Sequence, residues 1–227
     1  MIFIAEIGLN HNGDFNSCYK LIKKAKMAGA NIVKFQLGWR DKPGEINHIN
    51  FEKLKKLHDW ANEINVEIMF SVFHKEALDL LLKFKPKKIK IASRTVADDL
   101  NFVRNVVSLK LKTFISLGMW QGKDLPIKSE NISYLYCVSK YPALDDDLTN
   151  FPKNFSQNYH AGYSDHTIGI DACLLAISRG ANIIEKHFTL DKKNKTIRDH
   201  LLSAEPDEFA TLVDVGSKLS KKIKKNI

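Results

Sequence analysis

The chain has 227 residues, 44% hydrophobic and 27% charged, with 35 Lys and Arg against 26 Asp and Glu for a formal charge of +9. That length supports one sizeable core, so a single domain over 1–227 is expected; no apolar run approaches the ~20 residues of a membrane span, and no membrane partner is expected. The lysines scatter along helical faces with no aromatic interleaving and no zinc-knuckle pattern, which speaks against nucleic acid and for an anionic small molecule as partner.

In chain order, "IFIAEIG" (2–8) reads as a first strand with Glu6 near its end. The N-terminus lacks the basic n-region and long apolar core of a secretory signal. "NHNG" (10–13) follows as a turn, with Asn12 and Gly13 suited to left-handed backbone. A helix over 16–30 leads to a second strand, 31–37, carrying Lys34 and Gln36. After a helix over 50–64, the third strand, 67–73, carries Ser71 and Phe73, with His74 beyond it. A helix over 75–84 precedes "KIKIAS" (88–93), which holds Lys90 and Ser93 and is followed by Arg94. A helix over 98–110 and a fifth strand, 112–118, with Ser116 come next. "WQGKDLPIKSEN" (120–131) has little apolar periodicity and a proline, so its helical pattern is weak. The sixth strand, 132–139, ends in Ser139 and leads to Lys140 and Tyr141. The seventh, "HAGYSDH" (160–166), brings Ser164, Asp165 and His166. A helix over 170–181 separates it from "NIIEKHFTL" (182–190), which brings Glu185, Lys186 and His187, with Asp199 and His200 in the loop beyond. A last helix covers 206–223, and the lysine-rich end reads as its solvated final turn.

About eight strand–helix units in succession imply a parallel sheet, because each crossover returns the chain in the same direction. No G-x-G-x-x-G follows the first strand, which removes the main reason to prefer an open doubly wound sheet. The expected fold is therefore α/β, a single (β/α)8 TIM barrel, trim against the usual ~250 residues. Three unevenly spaced cysteines, Cys18, Cys137 and Cys173, read as reduced thiols of a cytoplasmic protein.

Barrel active sites form at the C-terminal ends of the strands, and here those ends are polar. Singly, Lys34 or Lys90 reads as a strand-end lysine covering apolar surface with its stem, and His187 as a hydrogen-bonded core histidine. Together they form a pattern. Lysine ammoniums crowded with serine hydroxyls suit a phosphate or carboxylate. His166 and His187, on neighbouring strands, can share one metal ion and leave coordination positions open, as a Lewis acid requires. Glu6 is a carboxylate in a basic site, suited to proton transfer or to binding a hydroxyl.

"IAEIGLNHNGD", "AGANIVKFQ", "KIKIAS", "YSDHTIGI" and "IIEKHFTLDKK…RDH" resemble, in order and spacing from about residue 3 to 205, the catalytic barrel of the sialic acid synthase family. The resemblance implies condensation of phosphoenolpyruvate with the open-chain aldehyde of an N-acetylated amino sugar, with release of phosphate and help from a divalent metal, Mn2+ or Mg2+. It implies His166 and His187 as metal ligands, and Lys34 and Lys90 as phosphoenolpyruvate holders with the hydroxyls of Ser71, Ser93, Ser116 and Ser164. Gln36, Ser139 and Tyr141 match positions around phosphoenolpyruvate and the sugar, with Phe73 beside them. Glu6 is implied at the tetrahedral intermediate and Asp199 at the sugar hydroxyls. Where the family reads serine-glycine-acidic after strand four, this chain reads Ser93, Arg94, Thr95; Val138 replaces a threonine before Ser139. Arg94 either clamps an anion on the co-substrate or turns outward to pair with Asp98 or Asp99. The small C-terminal antifreeze-like domain of the family is expected to be absent, leaving a homodimer, or a partner protein in place of that domain, as the expected assembly. Two other readings stand beside the synthase: a metal-dependent sugar aldolase or isomerase, and a degenerate barrel that binds phosphoenolpyruvate or a partner without turnover.

Overall fold

Eight parallel strands pair in sequence order and close on themselves, β8 returning to β1, in the computed structural model, which describes residues 1–225. The strands are β1 (Ile2–Gly8), β2 (Ile32–Leu37), β3 (Glu67–Val72), β4 (Lys88–Ile91), β5 (Lys112–Ser116), β6 (Ile132–Cys137), β7 (His160–Asp165) and β8 (Ile183–His187). The helices are α1 (Ser17–Met27), α2 (Phe51–Glu63), α3 (Lys75–Leu82), α4 (Ser93–Asp98), α5 (Leu100–Ser108), α6 (Asp171–Ser178), α7 (Asp199–Leu202) and α8 (Pro206–Lys224). The (β/α)8 expectation thus holds for the barrel. Of the lysine-rich end, Asn226 and Ile227 lie outside the described residues.

Two connections depart from the strand–helix repeat. Residues 117–131 cross from β5 to β6 without a helix, where Pro126 and weak apolar periodicity oppose one. Residues 138–159, between β6 and β7, hold only the single 3-10 turn Asp145–Asp147. There an aromatic cluster covers the sheet in a helix's place: Phe151 packs edge-on against Tyr136 and Tyr163 at ring-centroid distances of 5.3 and 5.1 Å. In the other direction, α4 forms where a strand end and loop are expected.

Side chains alternate between the barrel's two faces, since the strand period is two. Outward residues such as Phe35, Phe70, Ile91, Ile115 and Ile184 meet the helices in one continuous apolar layer. Inward, Ile4, Ile32, Met69, Phe114, Leu135 and Ile183 form a separate plug that seals the lower barrel. Each such side chain contributes about 1.5–3 kcal/mol by leaving water. The wall closes tightly at Gly162, where a Cβ would lie 2.0 Å from the Ile183 carbonyl oxygen. One inward position further along each strand, the apolar plug gives way to Glu6, Lys34, Ser71, Lys90, Ser116, Cys137, Ser164 and Glu185, all buried. That layer is the floor of the upper cavity.

Candidate active site

The cavity at the C-terminal mouth, about 380 Å³, is lined by all fifteen residues to which the sequence assigns a site role: Glu6, Lys34, Gln36, Ser71, Phe73, Lys90, Ser93, Arg94, Ser116, Ser139, Tyr141, Ser164, His166, His187 and Asp199. It also takes in Trp39, Met119, Cys137, Glu185 and Arg198, which the sequence reading left out of the site. Glu185 and Cys137 carried a signal: each lies two residues before an inward-facing one, His187 and Ser139, and the strand period returns it to the same face. Trp39, Met119 and Arg198 sit on loops, where no periodicity points.

The floor is an ionic lattice. Lys34 Nζ lies 2.6 Å from Glu6 Oε2, donates to Ser71 Oγ at 2.9 Å and stands 3.7 Å from Glu185 Oε2. Lys90 Nζ donates to Ser116 Oγ at 2.7 Å and to the Ile91 carbonyl at 3.1 Å, and lies 3.8 Å from Glu185 Oε1. Ser164 Oγ donates to the same Glu185 oxygen at 2.8 Å. Two cations and two carboxylates thus share a nearly dry chamber, and the charges are compensated only by one another. Burial would neutralise Lys34, yet Glu185 and Glu6 outweigh it and raise its pKa. At Lys90 burial wins, with Lys34 adding to it, and the ammonium is held below the usual lysine value. Glu6 is raised by burial despite Lys34, whereas Glu185 is lowered because Lys34 and Lys90 together overcome the burial of its carboxylate.

Above the floor, the His166 and His187 rings are 5.4 Å apart between centroids. His166 Nδ1 lies 2.6 Å from the Val138 carbonyl, which can only accept, so Nδ1 carries a proton and Nε2 is the nitrogen left for a ligand; against its burial, Cys137 and this carbonyl raise the ring's pKa. His187 Nδ1 is buried without a hydrogen-bond partner, with Asp199 Oδ2 3.9 Å away. Burial first, then the His166 ring and the Lys34 and Lys186 ammoniums nearby, hold the His187 pKa well down and favour its neutral ring. A neutral imidazole with an unused buried nitrogen, beside a second with a free Nε2, is a donor pair that fits a divalent cation. Among the described residues no group of three His, Cys, Asp or Glu is gathered for a metal. Tyr141 stacks on His166 at 4.1 Å. Cys137 Sγ stands 3.7 Å from His166 Nδ1; burial pushes its thiol up, but His166 and Lys90 reverse this and hold it below its usual value.

Several other polar residues near the strand ends lie outside the mouth. Asp165 and Lys186 point outward, toward α6, as the strand alternation requires, and pair at 2.6 Å with no solvent exposure. Tyr163 and Thr167 hydroxyls donate to the same carboxylate, so the pair anchors the loop carrying His166 from behind. His74 caps α3 and contacts Asp41 and Glu76. His200 bridges Thr189 and Asn12, and His11 contacts Asn47. These histidines tie loops together outside the cavity. Asn12 and Gly13 do adopt left-handed backbone, at φ 55° and 80°. Thr95 is buried in α4 and does not line the cavity.

The profile of the NeuB family matches residues 45–227. An N,N'-diacetyllegionaminic acid synthase of Legionella pneumophila is 32% identical over 249 residues, taking in 92% of this chain and 69% of the relative. A pseudaminic acid synthase of Campylobacter jejuni is 31% identical, over 94% of this chain and 72% of that protein. An alignment of 249 residues is longer than the 227-residue chain, so the Legionella relative carries internal segments that this chain lacks. The crystal structure of an N-acetylneuraminic acid synthetase from Leptospira borgpetersenii in complex with citrate superposes with a TM-score of 0.83 at 28% identity, covering 98% of this chain and 84% of that one.

Proposed function

The chain belongs to the NeuB family, and from that premise we propose that it condenses phosphoenolpyruvate with the open-chain aldehyde of an amino sugar, releasing phosphate and forming a nonulosonic-type acid. The observation that carries this reading is the floor: two buried lysines, each on a serine hydroxyl, beneath two imidazoles with free nitrogens. Lys34 and Lys90, with Ser71, Ser93, Ser116 and Ser164, hold the phosphate and carboxylate of phosphoenolpyruvate. Binding exchanges their protein carboxylate partners for substrate oxygens in a site that excludes water, where charge-assisted bonds are strongest. C3 of phosphoenolpyruvate attacks the aldehyde carbon, water adds at C2, and the tetrahedral intermediate expels phosphate with C–O cleavage. Glu6, protonated more readily than an ordinary glutamate because it is buried, holds a proton at the C2 oxygen of that intermediate. Asp199 and Gln36 orient sugar hydroxyls, and Tyr141, stacked on His166, closes that side. A divalent ion, Mn2+ or Mg2+, held by His166 and His187 would supply Lewis-acid polarisation of the aldehyde oxygen.

The three cysteines are free and buried, which supports a reducing, cytoplasmic setting, and no helix among the described residues is long and apolar enough to cross a membrane. The test is phosphate release from phosphoenolpyruvate with Mn2+ and N-acetylmannosamine or diamino-sugar aldehydes. Release that requires the aldehyde and drops at least 100-fold in Lys90→Met supports the reading, since truncating one partner of a buried charge pair costs about 2–5 kcal/mol. Release that ignores the aldehyde, or survives Lys90→Met intact, overturns it.

A further inference from the structure

The floor satisfies its own charge, but the rim does not. Arg94 follows β4 on the first turn of α4 and lines the mouth. Its guanidinium carbon lies 5.7 Å from the Trp39 ring centroid, and Trp39 packs on Phe73 with centroids 5.4 Å apart. The outward alternative is not taken: the Asp99 carboxylate accepts from Phe102 N at 2.9 Å, capping α5, and among the described residues Arg94 makes no ion pair and no side-chain hydrogen bond. The other two rim cations are engaged. Lys140 pairs with Asp147, and Arg198 lies 4.6 Å over the Tyr141 ring with Nε 3.7 Å from Asp199 Oδ1. Arg94 alone is left as an oriented fork of N–H donors, one face held against an indole and its edge open to the cavity.

Its place in the ring says what it faces. In a closed eight-stranded barrel β4 stands opposite β8. His166 and His187 rise from β7 and β8, Arg94 from β4, and Lys34 and Lys90 lie on the floor between them. A sugar with its aldehyde at the histidine wall, over phosphoenolpyruvate on the lysines, runs across the mouth and brings its far end along Trp39 and Phe73 to Arg94. A neutral hydroxyl there gains one hydrogen bond, whereas a phosphate monoester gains a bidentate, charge-assisted pair. We propose that the co-substrate is an aldehyde sugar carrying a phosphate monoester at the end remote from the aldehyde, and that Arg94 is the residue that selects it.

This rests on the synthase reading, and the experiment separates the two. Phosphate release from phosphoenolpyruvate is measured with two matched pairs, N-acetylmannosamine and its 6-phosphate, and arabinose and its 5-phosphate. Both pairs are run with the unaltered protein, Arg94→Gln and Arg94→Lys. The expected result is a kcat/KM at least tenfold higher for a phosphorylated sugar than for its neutral twin. That ratio falls at least tenfold in Arg94→Gln and is partly restored in Arg94→Lys, which keeps the charge and loses the fork. A neutral sugar that reacts as well as its phosphate, or a ratio untouched by Arg94→Gln, overturns the assignment while leaving the synthase reading intact. So does a rise in the phosphoenolpyruvate KM alone, which would give Arg94 to that substrate. Should none of the four sugars react, titration of the phosphoenolpyruvate-loaded protein decides the inference separately. Sugar phosphates binding tenfold tighter than neutral sugars, with the gap lost in Arg94→Gln, uphold it; equal affinities overturn it.

Discussion

Replacing Glu185 by glutamine should weaken the fold and tighten anion binding at once, two effects that a purely structural carboxylate would not combine. Glu185 stands 3.7 Å from Lys34 Nζ and 3.8 Å from Lys90 Nζ. At an effective dielectric of ~20, each attraction amounts to roughly 4 kcal/mol. Desolvation of the buried carboxylate offsets much of that sum, and Lys34 keeps Glu6 at 2.6 Å. Lys90 keeps only neutral partners, Ser116 Oγ and the Ile91 carbonyl. The net loss of stability should therefore be about 2–4 kcal/mol, within the range for breaking a buried charge network. Under the proposed function the same change removes a negative charge from the phosphoenolpyruvate site, and the dissociation constant of phosphoenolpyruvate should fall about tenfold. Urea unfolding gives the first quantity and calorimetric titration the second. Saturating phosphoenolpyruvate should also raise the melting temperature of Glu185→Gln by more than that of the unaltered protein, because the tighter ligand stabilises more at equal concentration. An unchanged urea midpoint would refute the counter-ion role, and so would a folded variant that binds phosphoenolpyruvate more weakly.

His166→Ala or His187→Ala should abolish stoichiometric Mn2+ in the purified protein while leaving its circular dichroism unchanged; full occupancy in both variants would remove the metal site. Gly162→Ala should cost about 3 kcal/mol in urea, the upper end for overpacking, because the added Cβ meets the Ile183 backbone at 2.0 Å and no side chain can turn away to relieve it; an unmoved midpoint would show that the β7–β8 wall yields. His160 is pushed down to about 4 by burial beneath Tyr136 and Tyr159, against ~6.5 when unfolded. The unfolded chain thus binds the extra proton between those values. Stability from the neutral ring is complete above about pH 6.5 and falls by about 1–3 kcal/mol as pH drops toward 4. His160→Phe should flatten that part of the pH profile of the urea midpoint, and parallel profiles for the two proteins would contradict it.

The floor of the site was legible in the sequence because it is built on strands, whose period of two converts a position into a direction. Lys34 and Gln36, Ser164 and His166 obey that period and meet in one cavity. The same rule, applied strictly, sends Asp165 and Lys186 to the other face, where they pair behind the loop that carries His166. Followed two residues back from His187 and Ser139, it also brings Glu185 and Cys137 into the cavity, where the sequence reading gave them no role. The two connections without helices were only half legible: weak periodicity flagged 120–131, but the cover that Phe151 gives to β6 and β7 arises from tertiary packing of an irregular loop.

Loops carry no such period, and this divides the cavity by origin. Trp39, Met119 and Arg198 reach it from segments whose path depends on contacts distant in the chain. Arg94 is the instructive case, because its neighbourhood offered Asp98 and Asp99 as partners one helical turn away. What decides its direction is that Asp99 is already committed to the first turn of α5 and that Trp39, on another loop, offers the guanidinium a face. A helix cap and an aromatic ring, neither of them a site residue by its own pattern, together leave one cation turned toward the cavity. In the proposed reaction the strand-borne floor takes phosphoenolpyruvate, while the choice of sugar falls to the rim, where Arg94 stands on the first turn of α4.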